Sequence, residues 1–144
     1  MKSINPYLNF AGNTEEAFNF YKSAFGGEFT SVVRFKDMPI EGMNLPKNDE
    51  NKIMHISLPI GNGNVLMATD TLESLGQKLT FGNNAYLSLH PDSKEEAERI
   101  FNALSAGGKV EMPMADQPWG DYYGSLKDKF GVQWMINYHH PQDN

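Results

Sequence analysis

Apolar and polar positions alternate from Ile4 to Phe10, with Ile4, Pro6, Leu8 and Phe10 on one side and Asn5, Tyr7 and Asn9 on the other. That is the period of a half-buried strand, and Pro6 predicts an edge position or a strand start. Beyond Gly12 the period lengthens. Ala17, Phe18, Tyr21, Ala24 and Phe25 make the stripe of a helix, with Asn13 as its expected cap, Glu16 placed to return the bond, and Gly26-Gly27 as its end. A Thr- and Val-rich strand follows from Glu28 to about Phe35. The segment Asp37 to Asn51, with two prolines and Gly42, reads as a long loop. Strands over Lys52 to Ile60 and Asn64 to Thr69 are joined by Gly61-Asn62-Gly63, residues that tolerate the positive φ of a short hairpin. The first unit is βαβββ.

The same order returns. Thr71 to Asn83 has neither period and reads as a linker, and Ala85 to Leu89 alternates again. Ser93 takes the role of Asn13, with Glu96 as capping-box partner and Ala97, Ile100, Phe101 and Leu104 as the stripe. Gly107-Gly108 ends this helix. Asn13 and Ser93 lie 80 residues apart, and Gly26 and Gly107 lie 81 apart. Lys109 to Met112 then reads as a strand and the Pro-containing stretch to Trp119 as a loop. A final hairpin spans 119–138, where Asp128 is placed to bond the turn backbone and Gly131 to take positive φ. A repeat of this length exceeds solenoid periods and implies a pseudo-symmetric pair, each half too small to bury its own sheet face. The expected fold is α+β: one domain over 1–144, built from a first βαβββ module (1–70), a linker (71–83) and a second module (84–138), forming curved mixed sheets.

Composition narrows the partners. The 144 residues are 40% apolar, enough to bury a core without disulfide or metal staples. A net charge of -6 with no basic cluster argues against nucleic acid and anionic membranes. The chain has no cysteine, which removes thiolate nucleophiles, disulfides and the common structural zinc sites and suits a reducing cytoplasm. Met1 to Pro6 holds one basic residue and no apolar run, so neither a signal peptide nor a membrane anchor is expected.

Several motifs occur in order along almost the whole chain: Asn5-Pro6-Tyr7-Leu8 with Phe10, Gly12-Asn13 leading to Ala17-Phe18-Asn19-Phe20-Tyr21, Phe25-Gly26-Gly27-Glu28, and Met54-His55. Trp119-Gly120-Asp121-Tyr122 and Asp128-Lys129-Phe130-Gly131 with Trp134 complete the set. With the paired βαβββ plan they resemble the vicinal oxygen chelate superfamily of glyoxalase I, extradiol dioxygenases, fosfomycin-modifying enzymes and bleomycin-binding resistance proteins. Within it the PhnB-like proteins are the nearer match. Tyr123 and Lys129 depart from the pattern, standing where that group often has Arg and Pro. The resemblance implies a glyoxalase/bleomycin-resistance fold that completes its barrels between two chains as a homodimer.

The superfamily's chemistry usually runs on a divalent metal held by His and Glu. Laid on the glyoxalase I pattern, the ligand positions fall near Pro6 or Tyr7, Met67, Ala85 or Tyr86, and Met135, none of them His, Asp or Glu. Thioethers are poor ligands for hard ions, so no metal and no other cofactor is expected; the same positions supply soft lining for an irregular organic ligand.

Further candidates come from single residues. His55 is the candidate proton carrier, sharing a strand face with Ile53 and Ser57; the competing reading is a structural, hydrogen-bonded histidine. Asp70 either orients it or caps the linker. Trp119 and Tyr122 stack a planar ligand, meet a partner subunit or close the core. Asp121 is a candidate ligand acceptor or turn cap, and Gln133 shares a face with Met135 and offers an amide. His139 and His140 read as a frayed tail and His90 as loop. The Gly-rich strand-to-helix turn of a nucleotide-cofactor methyltransferase is missing, and no basic cluster for a phosphonate is present. Two functions remain: a metal-free dimeric protein binding a small organic molecule, and a small-molecule enzyme using His55 with a divalent metal at a non-standard position.

Overall fold

The computed structural model describes residues 1–39, 41, 42 and 44–141. The chain forms two compact units, Met1–Thr80 and Phe81–Asn144. The first contains β1 (Tyr7–Phe10), α1 (Thr14–Phe25), β2 (Ser31–Arg34), β3 (Ile53–Gly61) and β4 (Asn64–Asp70). Its sheet order is β1-β4-β3-β2, with β1 parallel to β4 and the other pairs antiparallel. The second contains β5 (Leu87–Leu89), α2 (Lys94–Ser105), β6 (Lys109–Asp116), β7 (Asp121–Lys127) and β8 (Gln133–His139), in the order β5-β8-β7-β6 with β5 parallel to β8. The expected α+β plan of two βαβββ units with mixed sheets is therefore present.

Strand period decides which side of each sheet a helix covers. In the first unit Ile56, Leu58, Leu66 and Ala68 are buried with Ala17, Phe18, Tyr21 and Ala24 of α1, which packs against β3 and β4. In the second unit Leu126, Trp134 and Ile136 are buried with Ala97, Ile100, Phe101 and Leu104 of α2. Each of the larger of these side chains contributes about 1.5–3 kcal/mol when fully buried.

Local expectations are corrected at the helix caps and at β6. Asn13 makes no side-chain cap to α1. The cap comes from Asp70 at the end of β4, whose Oδ1 accepts from the Gly12 amide (3.0 Å), the Thr14 amide (3.1 Å) and the Thr14 hydroxyl (2.6 Å). Its Oδ2 accepts from the Ile53 amide at 2.8 Å, so Asp70 ties the start of α1 to β3 and does not orient His55. In α2 the local cap is present, with Ser93 Oγ accepting from the Glu96 amide at 3.1 Å, while the Glu96 carboxylate takes the Asp92 amide instead of returning to Ser93. The second correction is β6, which runs through Pro113 to Asp116 where a loop is expected; Pro113 falls in the register irregularity between Met112 and Ala115 of an edge strand, where a missing N–H is tolerated. Of the loop expected over Asp37 to Asn51, Ile40 and Met43 lie outside the described residues, and Lys47–Asp49 forms a 3-10 turn.

At the end of α2, Gly108 is required by closeness. A Cβ there would lie 2.4 Å from the Lys127 carbonyl oxygen and 2.9 Å from Asp128 Cα, both backbone atoms. Gly108→Ala is expected to cost about 2–3 kcal/mol by urea unfolding, because helix and hairpin must separate to admit the methyl. An unchanged midpoint would contradict that contact.

Candidate functional site

With the helix on one side, each sheet keeps an open face on the other. In the first unit Tyr7 pairs with Met67 and Met67 with Ser57 across three adjacent strands. The Tyr7 hydroxyl lies 3.2 Å from His55 Nδ1, and His55 Nε2 lies 2.8 Å from Ser57 Oγ. Desolvation pushes the Tyr7 phenol above its ordinary pKa, so it stays protonated and can donate to Nδ1. The Nε2–H then donates to Ser57, and the imidazole bridges two hydroxyls.

The second unit repeats the frame with other recognition groups. Met135 pairs with Ser88 on one side and Ser125 on the other. The Tyr86 hydroxyl donates to Glu111, 2.9 Å from Oε1 and 3.1 Å from Oε2. That bond, ahead of desolvation, raises the Tyr86 pKa, with Gln133 and Tyr123 as its further polar neighbours. Tyr86 precedes β5 and Glu111 belongs to β6, the two opposite edges of the sheet. Strands lie about 4.8 Å apart, so side chains meet across three gaps only if the sheet curls toward this face. Trp119, 61% exposed, sets its ring edge-on to Tyr123 at 6.3 Å.

The structure thus brings Tyr7, Met67 and His55 together on one open face, and Gln133 and Met135 together on the other, with Trp119 against Tyr123. Tyr122 is not among them. It lies on the helix side, where its hydroxyl donates to Glu98 at 2.8 Å under the Lys94 ammonium, and the Glu98 bond pushes its pKa to about 12. Tyr123, not Tyr122, alternates onto the face of Ser125. Asp121 is occupied by its cross-strand neighbours, accepting from His139 Nδ1 and, at 3.1 Å, from Asn137 Nδ2; the His139 bond holds its carboxyl below the ordinary range.

The reading of His139 and His140 as a frayed tail is also corrected. β8 extends to His139, and His140 Nε2 lies 2.8 Å from Asp116. His90 stands in the loop before α2, 3.1 Å from Ser88 Oγ. Among the described residues no three of His, Cys, Asp and Glu gather into a group able to hold a metal ion. Ser57, Ser88, Ser125, Glu111 and Tyr123 are the residues at these faces that sequence reasoning did not put forward as site candidates. A signal for two of them was available, since Ser57 and Met67, like Ser125 and Met135, stand ten positions apart.

Two mixed-sheet βαβββ units, each with one helix-covered and one open face, define the glyoxalase/bleomycin-resistance type of fold. A glyoxalase/bleomycin resistance protein/dioxygenase family enzyme from Burkholderia phytofirmans shares it, with a TM-score of 0.61 at 18% identity, a likeness of fold alone. Nearer relatives place the chain more narrowly. The family described as 3-demethylubiquinone-9 3-methyltransferase matches residues 2–137, and the chain belongs to this PhnB-like family. Protein PA1353 from Pseudomonas aeruginosa is 38% identical, with 98% of this chain and 100% of that one covered and a TM-score of 0.85. A putative 3-demethylubiquinone-9 3-methyltransferase, PhnB protein, from Bacillus cereus is 30% identical over 95% of this chain and 99% of that one, with a TM-score of 0.74. Protein YjdN of Escherichia coli is 32% identical over 93% of each chain.

Proposed function

We propose that this protein binds a small organic molecule on its open sheet faces and does so without a resident metal. The observation that carries the reading is the pair Met67 and Met135, each at the centre of an open face and flanked in register by hydroxyl side chains, Tyr7 with Ser57 and Ser88 with Ser125. Thioethers and hydroxyls suit an uncharged organic surface and are a poor set for a hard divalent ion. The proposal extends to residues 1–144 acting as one domain, to self-association as a homodimer and to a cytoplasmic setting, on the sequence grounds given above. His55 belongs to it as a binding residue: both ring nitrogens are engaged by protein hydroxyls, and a proton carrier would first have to exchange one of them. Methyl transfer from a nucleotide cofactor is not part of the reading, since each sheet has a single parallel strand pair and not the doubly wound arrangement that binds such cofactors.

Protein carrying 13C-methyl methionine and dialysed against a chelator tests this. Titration with benzyl alcohol is expected to move the Met67 or Met135 resonance saturably. Movement that requires added magnesium, manganese or zinc, or stoichiometric metal that survives the dialysis, would overturn the metal-free reading.

A further inference from the structure

We propose that the open face of the second unit selects a cationic group, an ammonium or amidinium on an aromatic-sized apolar body, with Glu111 as its counter-charge. The inference rests on the reading that the open faces hold ligand, and adds the charge of what is held. A carboxylate offers about four lone-pair positions, and the Tyr86 hydroxyl supplies a single hydrogen. Among the described residues Glu111 is in none of the ion pairs. Its charge is therefore held in place by a phenol yet left uncompensated, at the rim of a face that curls toward it.

What surrounds the charge fits the same class. The rings of Tyr86, Tyr123 and the exposed Trp119 offer π-faces to a cation, and the Met135 thioether offers a polarisable floor. Gln133, largely buried next to Tyr86, adds an amide oxygen for a second N–H. Glu111 sits at a register irregularity between Val110 and Met112, where a bulge re-aims a side chain. The net charge of -6 favours approach of a cation and opposes a carboxylate ligand. The first unit supplies an internal control. Its Ser57–Met67 frame is the same, but imidazole and phenol stand on it in place of an acid.

The test titrates 13C-methyl-methionine protein with four probes of matched body: benzylammonium, benzamidinium, benzyl alcohol and benzoate. At low salt the two cations are expected to bind at Met135 about fivefold more tightly than the alcohol, with benzoate weakest, as befits one partly exposed charge contact aided by aromatic faces. Met67 should show no such order. Salt at about 0.5 M should flatten the order at Met135, and Glu111→Gln should abolish it. Equal affinities across the four probes at low salt, or a cation preference that survives Glu111→Gln, would overturn the proposal; if the variant does not fold, the probe order and its salt dependence decide alone. A flat order with benzyl alcohol still bound removes this inference only. No response at Met135 to any probe removes ligand binding at that face as well.

Discussion

Asp70→Ala is expected to cost about 3–5 kcal/mol of stability, the largest single-residue loss outside the apolar cores. The carboxylate is 3% exposed and accepts four hydrogen bonds, from the amides of Gly12, Thr14 and Ile53 and from the Thr14 hydroxyl. Alanine leaves three backbone donors and one hydroxyl without that acceptor, in a place where the hydroxyl is itself fully buried. Each stranded donor costs about 1–3 kcal/mol, reduced where a water can enter from the loop side. The start of α1 also loses its hydrogen-bonded tie to β3. In thermal unfolding this corresponds to a midpoint lowered by about 10 °C. Asp70→Asn should recover less than half of the loss, because its amide nitrogen faces either the Ile53 amide or the Gly12–Thr14 donors. A midpoint within 2 °C of the parent in Asp70→Ala, on the scale where about 1 kcal/mol moves a domain of this size 2–4 °C, would show that the cap is dispensable.

This residue also marks what could be read from the sequence. The strands, helices and repeat were legible because they are written in local periods: alternation over Ile4 to Phe10, the stripes on α1 and α2, the two Gly-Gly stops. The cap of α2 was legible for the same reason, since Ser93 bonds an amide three positions on. The cap of α1 was not, because its donor and acceptor stand 56 positions apart and meet only when β4 pairs with β1. Asn13 had the right residue type in the right place, and a stronger acceptor from elsewhere displaced it. Strand period likewise put Gln133 on the face of Met135, while Met67 was reached through the resemblance to the glyoxalase I pattern. Period is silent on Glu111, which stands at a register irregularity, and it left Tyr122 open between ligand, partner and core, where a one-residue choice of phase decides between the open face and α2.

The two open faces show what the two units share and where they differ. Serine and methionine recur at equivalent places in both units, Ser57 with Met67 and Ser125 with Met135. These side chains make the floor. The groups that reach over the floor differ: Tyr7 meets an imidazole in the first unit, and Tyr86 meets a carboxylate in the second. A shared floor accounts for a common preference for organic surface, and divergent reaching groups allow each unit its own polar selectivity.

Asp128→Ala is the second large effect expected, about 3–4 kcal/mol, and it connects stability to the second open face. Asp128 Oδ1 accepts from the amides of Phe130 (2.8 Å) and Val132 (3.0 Å), holding the turn in which Gly131 takes a φ of 92°. Its Oδ2 accepts from the indole nitrogen of Trp134 at 2.8 Å. Trp134 is fully buried, so alanine at 128 removes an acceptor from an indole N–H in the core as well as from two turn amides. The indole contribution can be separated by a cycle: in a Trp134→Phe background the further cost of Asp128→Ala should shrink by about 1–2 kcal/mol, a coupling expected for residues in direct contact. Equal costs in both backgrounds would mean that the Oδ2 bond contributes nothing. Met135 follows Trp134 directly and points to the opposite face, so the ring that Asp128 fixes on the helix side sets the phase of the strand that carries Met135. Benzyl alcohol affinity at Met135 should therefore fall in Asp128→Ala at temperatures where the variant is still folded, with Met67 unaffected; unchanged affinity there would confine Asp128 to stability alone.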